Sequence, residues 1–186
     1  MDCKITSTEV ARQKRLSGSA LIEAIMAIGI TAMLVLTLFT FMFFSGKSFA
    51  ALFNYVDLDD VNRVAMDTLT RDVRQSNKVT ASTTNSLTLE DTDGSSIVYT
   101  FSPITKTLTR NKNGANKVIL TECSRLNFNL GQRNTATGGY DVYPAATPAT
   151  CKVVNVSWMC SRSIYGRAEN TESVQTARIV IRKQGT

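Results

Sequence analysis

The chain of 186 residues contains no histidine. Its absence excludes Ser-His-Asp and Cys-His nucleophile systems, an imidazole general base, and any zinc site that needs imidazole. Charged residues make up only 19% of the chain against 43% hydrophobic residues, which excludes a largely disordered protein. Serines and carboxylates abound, but no base stands in a recognisable arrangement with a nucleophile. We therefore expect no enzymatic activity, no cofactor and no small-molecule substrate.

One long stretch lacks charge altogether. Residues 24–46 are 23 consecutive uncharged residues, AIMAIGITAMLVLTLFTFMFFSG. About 20 helical residues span the roughly 30 Å hydrocarbon core of a bilayer. A buried core helix is disfavoured, because the rest of the chain is too small to surround a helix that is apolar on every face. A secretory signal peptide is disfavoured too, because the run exceeds the usual apolar region and ends in Phe-Met-Phe-Phe. The run predicts a transmembrane helix.

The segment before this run is basic. It contains Lys4, Arg12, Lys14 and Arg15 against Asp2 and Glu9. Cations next to a span favour the cytoplasmic side of a membrane. Residues 1–18 are therefore predicted to be cytoplasmic, and everything after the span is predicted to be exported.

The junction Gly18-Ser19-Ala20-Leu21-Ile22-Glu23 is more specific. It resembles the class III signal of type IV pilins and type II secretion pseudopilins, in which a short basic leader ends in glycine. The resemblance implies that a prepilin peptidase cuts after Gly18 and N-methylates Ser19, and that Glu23, the fifth mature residue, sets subunit register during assembly. The sequence departs from the family in having Ser19 where Phe or Met is usual, Ala20 where Thr is common, and no helix-kinking proline.

Glu23 also has a physical interpretation of its own. A carboxylate inside a membrane span costs about 2.5–3.5 kcal/mol at mid-helix and less near the end, so it usually has a partner. Cleavage after Gly18 would create an α-amine on Ser19 that can pair with Glu23 of the same or a neighbouring subunit. The alternative is an interfacial glutamate whose side chain reaches the lipid headgroups.

The helix is predicted to continue past the apolar run, over residues 19–76. Residues 47–75 lack proline and glycine, and Gln75-Ser76-Asn77 is the predicted end. Gly46 is the point at which the helix is weakest. Apolar residues recur near helical spacing and predict one face that packs on a sheet: Phe49, Leu52, Phe53, Val56, Val61, Ala65, Leu69 and Val73.

The remainder alternates between apolar and polar residues, as strands do. The predicted strands are 86–89, 96–101, 107–110, 117–120, 125–130, 152–160 and 174–183, with a loop over 131–150. Asn113-Gly114 is a hairpin turn pattern. Buried faces are predicted at 97, 99 and 101, at 126, 128 and 130, at 154, 156 and 158, and at 177, 179 and 181. The fold class is therefore α+β, a long N-terminal helix packed on one antiparallel sheet of five to seven strands, which is the architecture of the pilin family.

These predictions divide the chain into a leader (1–18), a transmembrane and assembly half-helix (19–46), an amphipathic half-helix (47–76) and a periplasmic β-domain (77–186). Segments at 66–76, 87–101, 108–110 and 126–130 are similar to J-type minor pseudopilins and PilW-type minor pilins. The resemblance implies a minor subunit that initiates or caps a type II secretion pseudopilus or type IV pilus. Its partners would be the bacterial inner membrane, the prepilin peptidase, other subunits and the assembly platform.

Four cysteines are present, and Cys3 lies in the predicted leader. Cys151 and Cys160 bracket one predicted strand, and nine extended residues separate them by about 30 Å, which is too far for a disulfide. In an oxidising periplasm Cys123 is therefore predicted to pair with Cys151 or with Cys160. The alternative is three reduced thiols.

Two weaker patterns remain. Asp91-Thr92-Asp93-Gly94 partly matches a calcium loop, but further oxygen ligands are missing at the right offsets, so a hairpin turn is preferred and Asp91 and Asp93 are only a calcium candidate. Two basic clusters suggest a DNA- or surface-binding tip subunit as an alternative function: Arg110, Lys112 and Lys117, and Arg178, Arg182 and Lys183. Without interleaved aromatics we do not expect nucleic acid as a partner. A third alternative is an uncleaved single-pass envelope protein.

Overall fold

A computed structural model describes residues 7–134, 142–144, 146–163 and 172–182. They comprise one helix, α1 (Ser7–Gln75), followed by nine strands. The strands are β1 (Lys78–Thr83), β2 (Ser86–Glu90), β3 (Ser96–Ser102), β4 (Thr107–Lys112), β5 (Ala115–Leu120), β6 (Cys123–Arg133), β7 (Val142–Pro144), β8 (Val153–Ser161) and β9 (Glu172–Val180). The predicted α+β class, a long N-terminal helix packed on antiparallel strands, is confirmed.

The helix begins earlier than predicted and does not break. It starts at Ser7, because residues 7–17 contain neither proline nor glycine and are rich in good helix formers. It passes through Gly46 without interruption. Glycine lowers the local helix propensity but does not break this helix. It ends at Gln75, as predicted. There the Ser76 Oγ donates to the Val73 carbonyl at 2.8 Å, and Asn77 N–H donates to the Glu90 carbonyl at 2.8 Å, which leads the chain into β1.

The strands form two antiparallel sheets rather than the single sheet predicted. The first sheet has the order β1-β2-β3-β4-β5, and the second has the order β7-β6-β8-β9. The boundary between the sheets lies between β5 and β6. These two strands do not pair, although only Thr121 and Glu122 lie between them in sequence. Backbone bonds still join the sheets, since Cys123 N–H donates to the Lys106 carbonyl at 2.9 Å and Phe128 N–H to the Thr84 carbonyl at 3.0 Å.

Two strands were not predicted. β1 reads KVTAST and buries only Val79, so it lacks the apolar alternation of a half-buried strand. β7 and the end of β6 lie in the segment that was predicted to be a loop, and that prediction was wrong for residues 131–133 and 142–144. The Asn113-Gly114 turn between β4 and β5 is confirmed. Both residues have positive φ, 53° and 81°, which a type I′ turn requires.

Chain contacts divide the molecule into two compact units, residues 1–49 and residues 50–186. The core lies in the second unit, between the later part of α1 and both sheets. The predicted strand faces are confirmed, with partial burial at Ala177. The core comprises Leu58, Ala65, Leu69 and Val73 of α1, Val79, Leu87, Leu89, Ile97, Tyr99, Phe101, Leu108 and Leu120 near or in the first sheet, and Cys123, Leu126, Phe128, Leu130, Cys151, Val154, Val156, Trp158, Cys160, Ile179 and Ile181 near or in the second.

The apolar helix face predicted for residues 49–73 is only half right. Ala65, Leu69 and Val73 are buried, and Val61 packs partly against the core. Leu52, Phe53 and Val56, however, are 57%, 71% and 50% exposed, and Phe49 is exposed as well. Helical periodicity predicts which residues share a face, but packing against other parts of the chain decides how far that face is covered. In the second unit α1 is first buried at Leu58.

Candidate functional site: the exposed apolar helix and its anchor on the sheets

The first unit exposes an apolar helix surface on all sides. Between Leu21 and Phe44 every large hydrophobic side chain is exposed, from 49% at Val35 to 74% at Met42. An 18-residue window within this helix reaches a mean hydropathy of 2.3, and none of it is buried in the protein. The helix is therefore long enough and apolar enough to cross a membrane.

The few hydroxyls on this surface bond to the helix itself. Thr31 Oγ1 donates to the Ala27 carbonyl at 2.7 Å, Thr37 Oγ1 donates to the Leu34 carbonyl at 2.8 Å, and Thr40 Oγ1 donates to the Thr37 carbonyl at 2.9 Å. Such bonds to a preceding turn satisfy the hydroxyl without water. These threonines thus add little polarity to the apolar surface.

The predicted processing residues lie within α1. Gly18 and Ser19 occupy consecutive helical positions, and Ser19 and Glu23 are both exposed. Residues four apart lie on the same helix face with Cβ atoms about 5–6 Å apart, so Glu23 is on the face of Ser19. Among residues whose side chains the structure describes, none forms an ion pair with Glu23. Cleavage, methylation and the role of Glu23 in register stay predictions.

In the second unit, polar side chains hold α1 on the second sheet. Trp158 Nε1 donates to Asn62 Oδ1 at 3.0 Å, with Asn62 completely buried and Trp158 2% exposed. Gln175 Nε2 donates to Asp59 Oδ1 at 3.2 Å. These bonds fix the helix along and around its axis, because a shift of one residue would separate both pairs.

An arginine adds a third contact near the start of the buried part of α1. Arg162 pairs with Asp57 Oδ2 at 2.5 Å and also with Glu122, which immediately precedes β6. The two acidic groups raise the pKa of Arg162, Glu122 being the larger cause. The guanidinium therefore bridges the helix and the second sheet.

A buried triad holds α1 on the first sheet. Asp72 is 5% exposed, and its Oδ2 accepts hydrogen bonds from Tyr99 Oη and Arg110 Nε, both at 2.6 Å. Burial and the Asp72 carboxylate raise the pKa of Tyr99, and the same carboxylate raises the pKa of Arg110. Because a buried carboxylate needs charge and hydrogen bonds to offset its desolvation, these partners are mutually required.

None of these anchors was predicted from the sequence. The packing of α1 was predicted from the spacing of its apolar residues. The anchors are polar residues of the same helix and so gave no such signal: Asp57, Asp59, Asn62 and Asp72. One weak indication was available: Asn62 and Asp72 lie three residues before or after the apolar positions Ala65 and Leu69, and so share their face.

The calcium candidate residues bond to protein groups. Asp91 Oδ2 pairs with Lys112 Nζ at 2.5 Å, and Asp91 Oδ1 accepts from Thr92 N–H at 2.7 Å. Asp93 Oδ1 accepts from Ser95 N–H at 2.8 Å. The bond from Lys112 lowers the pKa of Asp91. No group of three or more acidic or cysteine ligands occurs in the described part of the chain, and these carboxylates serve the turn before β3.

Cys123, Cys151 and Cys160 are buried thiols in this structure. Cys123 opens β6 and lies directly opposite Cys160 of β8, whereas Cys151 precedes β8 and donates to the Val153 carbonyl at 3.4 Å. The structure thus brings Cys123 to Cys160 and leaves Cys151 apart. A hydrogen bond between the two thiols lowers the pKa of Cys123 and raises that of Cys160, and burial raises the pKa of Cys151.

The basic clusters are partly neutralised. Arg110 bonds to Asp72 and Lys112 to Asp91, so Lys117 is the exposed cation of the first cluster. Arg178 Nε donates to Asn155 Oδ1 at 3.2 Å. Lys183 lies outside the described residues. Arg182 instead lines a surface depression with Arg71 and Arg74 from the end of α1.

The chain matches no known protein family, and no curated protein is significantly similar to it.

Proposed function

We propose that this chain is a pilin-like structural subunit, most similar in plan to a minor pilin or minor pseudopilin. The single observation that carries the proposal is α1 itself. One continuous helix exposes its apolar side chains from Leu21 to Phe44, carries a carboxylate at Glu23, and ends packed on a β-domain. An apolar surface of this size is unfavourable in water. It therefore marks a helix that a bilayer or other subunits cover.

In this proposal residues 1–18 are cytoplasmic, the apolar half crosses the bacterial inner membrane, and the β-domain lies in the periplasm. The prepilin peptidase removes the leader after Gly18 and methylates Ser19. The subunit then enters a type II secretion pseudopilus or type IV pilus by contact with the assembly platform and neighbouring subunits. The chain is a substrate of processing and has no catalytic role of its own.

Glu23 would act in assembly through charge. After cleavage the α-amine of Ser19 carries a positive charge on the helix face that Glu23 occupies. In the apolar interior of a filament, where the dielectric is low, an amine of one subunit and a carboxylate of its neighbour attract strongly. Only one axial offset between two such helices brings these charges together, so the pair selects register.

Processing is tested by N-terminal sequencing or intact-mass measurement of the full chain from membranes of cells with and without an active prepilin peptidase. We expect material that begins at methylated Ser19 with the enzyme, and at Met1 without it. Material beginning at Met1 in both strains would favour the uncleaved envelope protein instead.

Assembly is tested by Glu23→Ala and Glu23→Gln in cells that make filaments. Both variants should stay in the membrane fraction, because removing a charge favours insertion, and both should be depleted from sheared filaments. Thr31→Ala, a change in the same apolar half with no charge involved, is the matched control and should assemble normally. Normal recovery of Glu23→Ala in filaments would contradict the role given to Glu23.

A further inference from the structure

We propose that Cys123 and Cys160 form a disulfide bond in the exported β-domain and that Cys151 remains a thiol. This inference rests on the proposed export of the β-domain to an oxidising compartment, but it needs no filament. It therefore stands apart from the proposed role in pilus or pseudopilus assembly.

The pairing of β6 with β8 places the two cysteines directly opposite each other. Ser161 N–H donates to the Glu122 carbonyl at 3.0 Å, which marks Glu122 and Ser161 as a hydrogen-bonded pair. Hydrogen-bonded and non-hydrogen-bonded pairs alternate along an antiparallel ladder, so Cys123 and Cys160 are a non-hydrogen-bonded pair. Cys123 N–H is accordingly directed to Lys106 rather than to Cys160.

This type of pair has the spacing that a disulfide needs. Opposite residues at non-hydrogen-bonded positions have Cα atoms about 4.5 Å apart, which is inside the range of about 4.4–6.8 Å found in disulfides. A bulge at residues 123–125 interrupts the regular register next to Cys123.

Cys151 lies at the opposite end of the same strand pair. Lys152 N–H donates to the Gly131 carbonyl, and Val153 pairs with Gly131. Gly131 is eight residues from Cys123 along β6, or about 26 Å at the usual rise. Cys151 can therefore reach neither Cys123 nor Cys160 in the folded domain. Of the two partners open to Cys123 from the sequence, the strand register selects Cys160.

The chemistry is thiol–disulfide exchange with a disulfide oxidant of the exported compartment. The Cys123 thiolate attacks a sulfur of the oxidant, and the first oxidant thiolate leaves. The Cys160 sulfur then loses its proton, attacks the mixed disulfide at Cys123, and releases the second oxidant thiolate. Two cysteine S–H bonds and the S–S bond of the oxidant break, while the Cys123–Cys160 bond and two S–H bonds on the oxidant's sulfurs form, so the oxidant leaves as two thiols. Because both cysteines are fully buried, we place this reaction during folding, before the core closes.

The bridge would secure the helix anchor described above. Glu122 immediately precedes Cys123, and Arg162 follows Cys160 by two residues. These are the groups that connect the second sheet to Asp57 of α1. A covalent link between the two strand ends would hold Glu122 and Arg162 at a fixed separation. The bond would also close the chain between residues 123 and 160 and thereby restrict the unfolded state.

The experiment uses the full chain, purified in detergent, unfolded, and refolded in oxidised and reduced glutathione. Free thiols are then blocked with iodoacetamide, and tryptic peptides are identified by mass without reduction. Cleavage after Lys117, Arg125, Lys152 and Arg162 separates the three exported cysteines. We expect peptides 118–125 and 153–162 joined, 2 Da lighter than their sum, with Cys3 and Cys151 alkylated. Alkylation of Cys123 and Cys160, or a link from either to Cys151, would overturn the proposal.

A stability measurement provides the second readout. Closing a loop of this length should raise the unfolding temperature by roughly 10 °C. Wild type and Cys151→Ala should both lose this increment when reductant is added. Cys123→Ala and Cys160→Ala should show no response to reductant. A reductant response that persists in Cys160→Ala, or one that is lost in Cys151→Ala, would contradict the Cys123–Cys160 assignment. If a variant fails to fold, the peptide map of the wild-type protein still tests the pairing.

Discussion

The two halves of α1 use apolar residues in different ways. From Leu21 to Phe44 the helix is apolar on every face, and the protein covers none of it. From Leu58 to Val73 only one face is apolar, and the sheets bury it. The first pattern suits a helix whose surroundings are uniformly apolar, whereas the second suits a helix between a core and water.

The halves also differ in how their position is specified. The buried half carries Asn62 and Asp72, which bond to Trp158 and to the Tyr99–Arg110 pair. Apolar packing alone tolerates small slides, but a buried polar group that loses its partner costs about 1–3 kcal/mol. The exposed half has a single charge, Glu23, between Ser19 and Gly46. In the proposed assembly, its position would be specified by contacts with neighbouring subunits.

The largest effect should come from Asp72→Ala. The substitution leaves the Arg110 side chain, which is 19% exposed, and the buried Tyr99 hydroxyl without their acceptor. Removing one partner of a buried ion pair costs about 3–5 kcal/mol. We expect a loss of that size in the free energy of unfolding, measured by urea titration of the full chain in detergent. Asp67→Ala, an exposed change on the same helix, should stay within about 0.5 kcal/mol.

A matched pair of leucines tests the difference in burial directly. Leu69 is fully buried in the core, and Leu36 is 65% exposed. Leu69→Ala should destabilise the β-domain by about 2–5 kcal/mol because it leaves a cavity. Leu36→Ala creates no cavity and should leave urea unfolding of the β-domain unchanged. Similar losses in both variants would mean that the halves are energetically one unit, contrary to the comparison.

The smallest effect should come from the turn before β3, away from both halves of the helix. The folded-state pKa of Asp91 is lowered by Lys112, so its contribution to stability is complete above the unfolded pKa of about 4. That contribution is lost as pH falls through the lower folded value. Asp91→Asn should therefore be less stable than wild type at pH 7 by about 1 kcal/mol. The difference in unfolding temperature should shrink toward pH 3, while a difference independent of pH would indicate a loss of packing instead.

Much of the local structure was predictable from the sequence. The end of α1 at Gln75, the turn at Asn113-Gly114 and the buried faces of β3, β6 and β8 follow from spacing and turn chemistry, which are local properties. The missed strands β1 and β7 have weak alternation. β1 is held by pairing with β2, and β7 by pairing with β6, so distant residues decide their conformation.

The candidate sites also divide into residues that a local pattern marks and residues that only contacts between distant segments reveal. The roles of Gly18, Ser19 and Glu23 were predicted from their spacing along the chain alone, and they stay predictions. The anchors Asp57–Arg162 and Asn62–Trp158 join residues about a hundred positions apart, and no local pattern marks such partners. The choice between Cys151 and Cys160 as partner of Cys123 likewise depended on the register of two strands.

The sequence by itself determined the long helix, its change from wholly apolar to amphipathic, and the α+β class, because periodicity and hydropathy act through nearest neighbours along the chain. Only the tertiary structure decided that the strands divide into two sheets and that the covered face of α1 begins at Leu58 rather than Phe49. It also decided which polar residues of the helix are anchors. These features depend on hydrogen bonds and packing between segments far apart in sequence, where strand length and register set which groups meet.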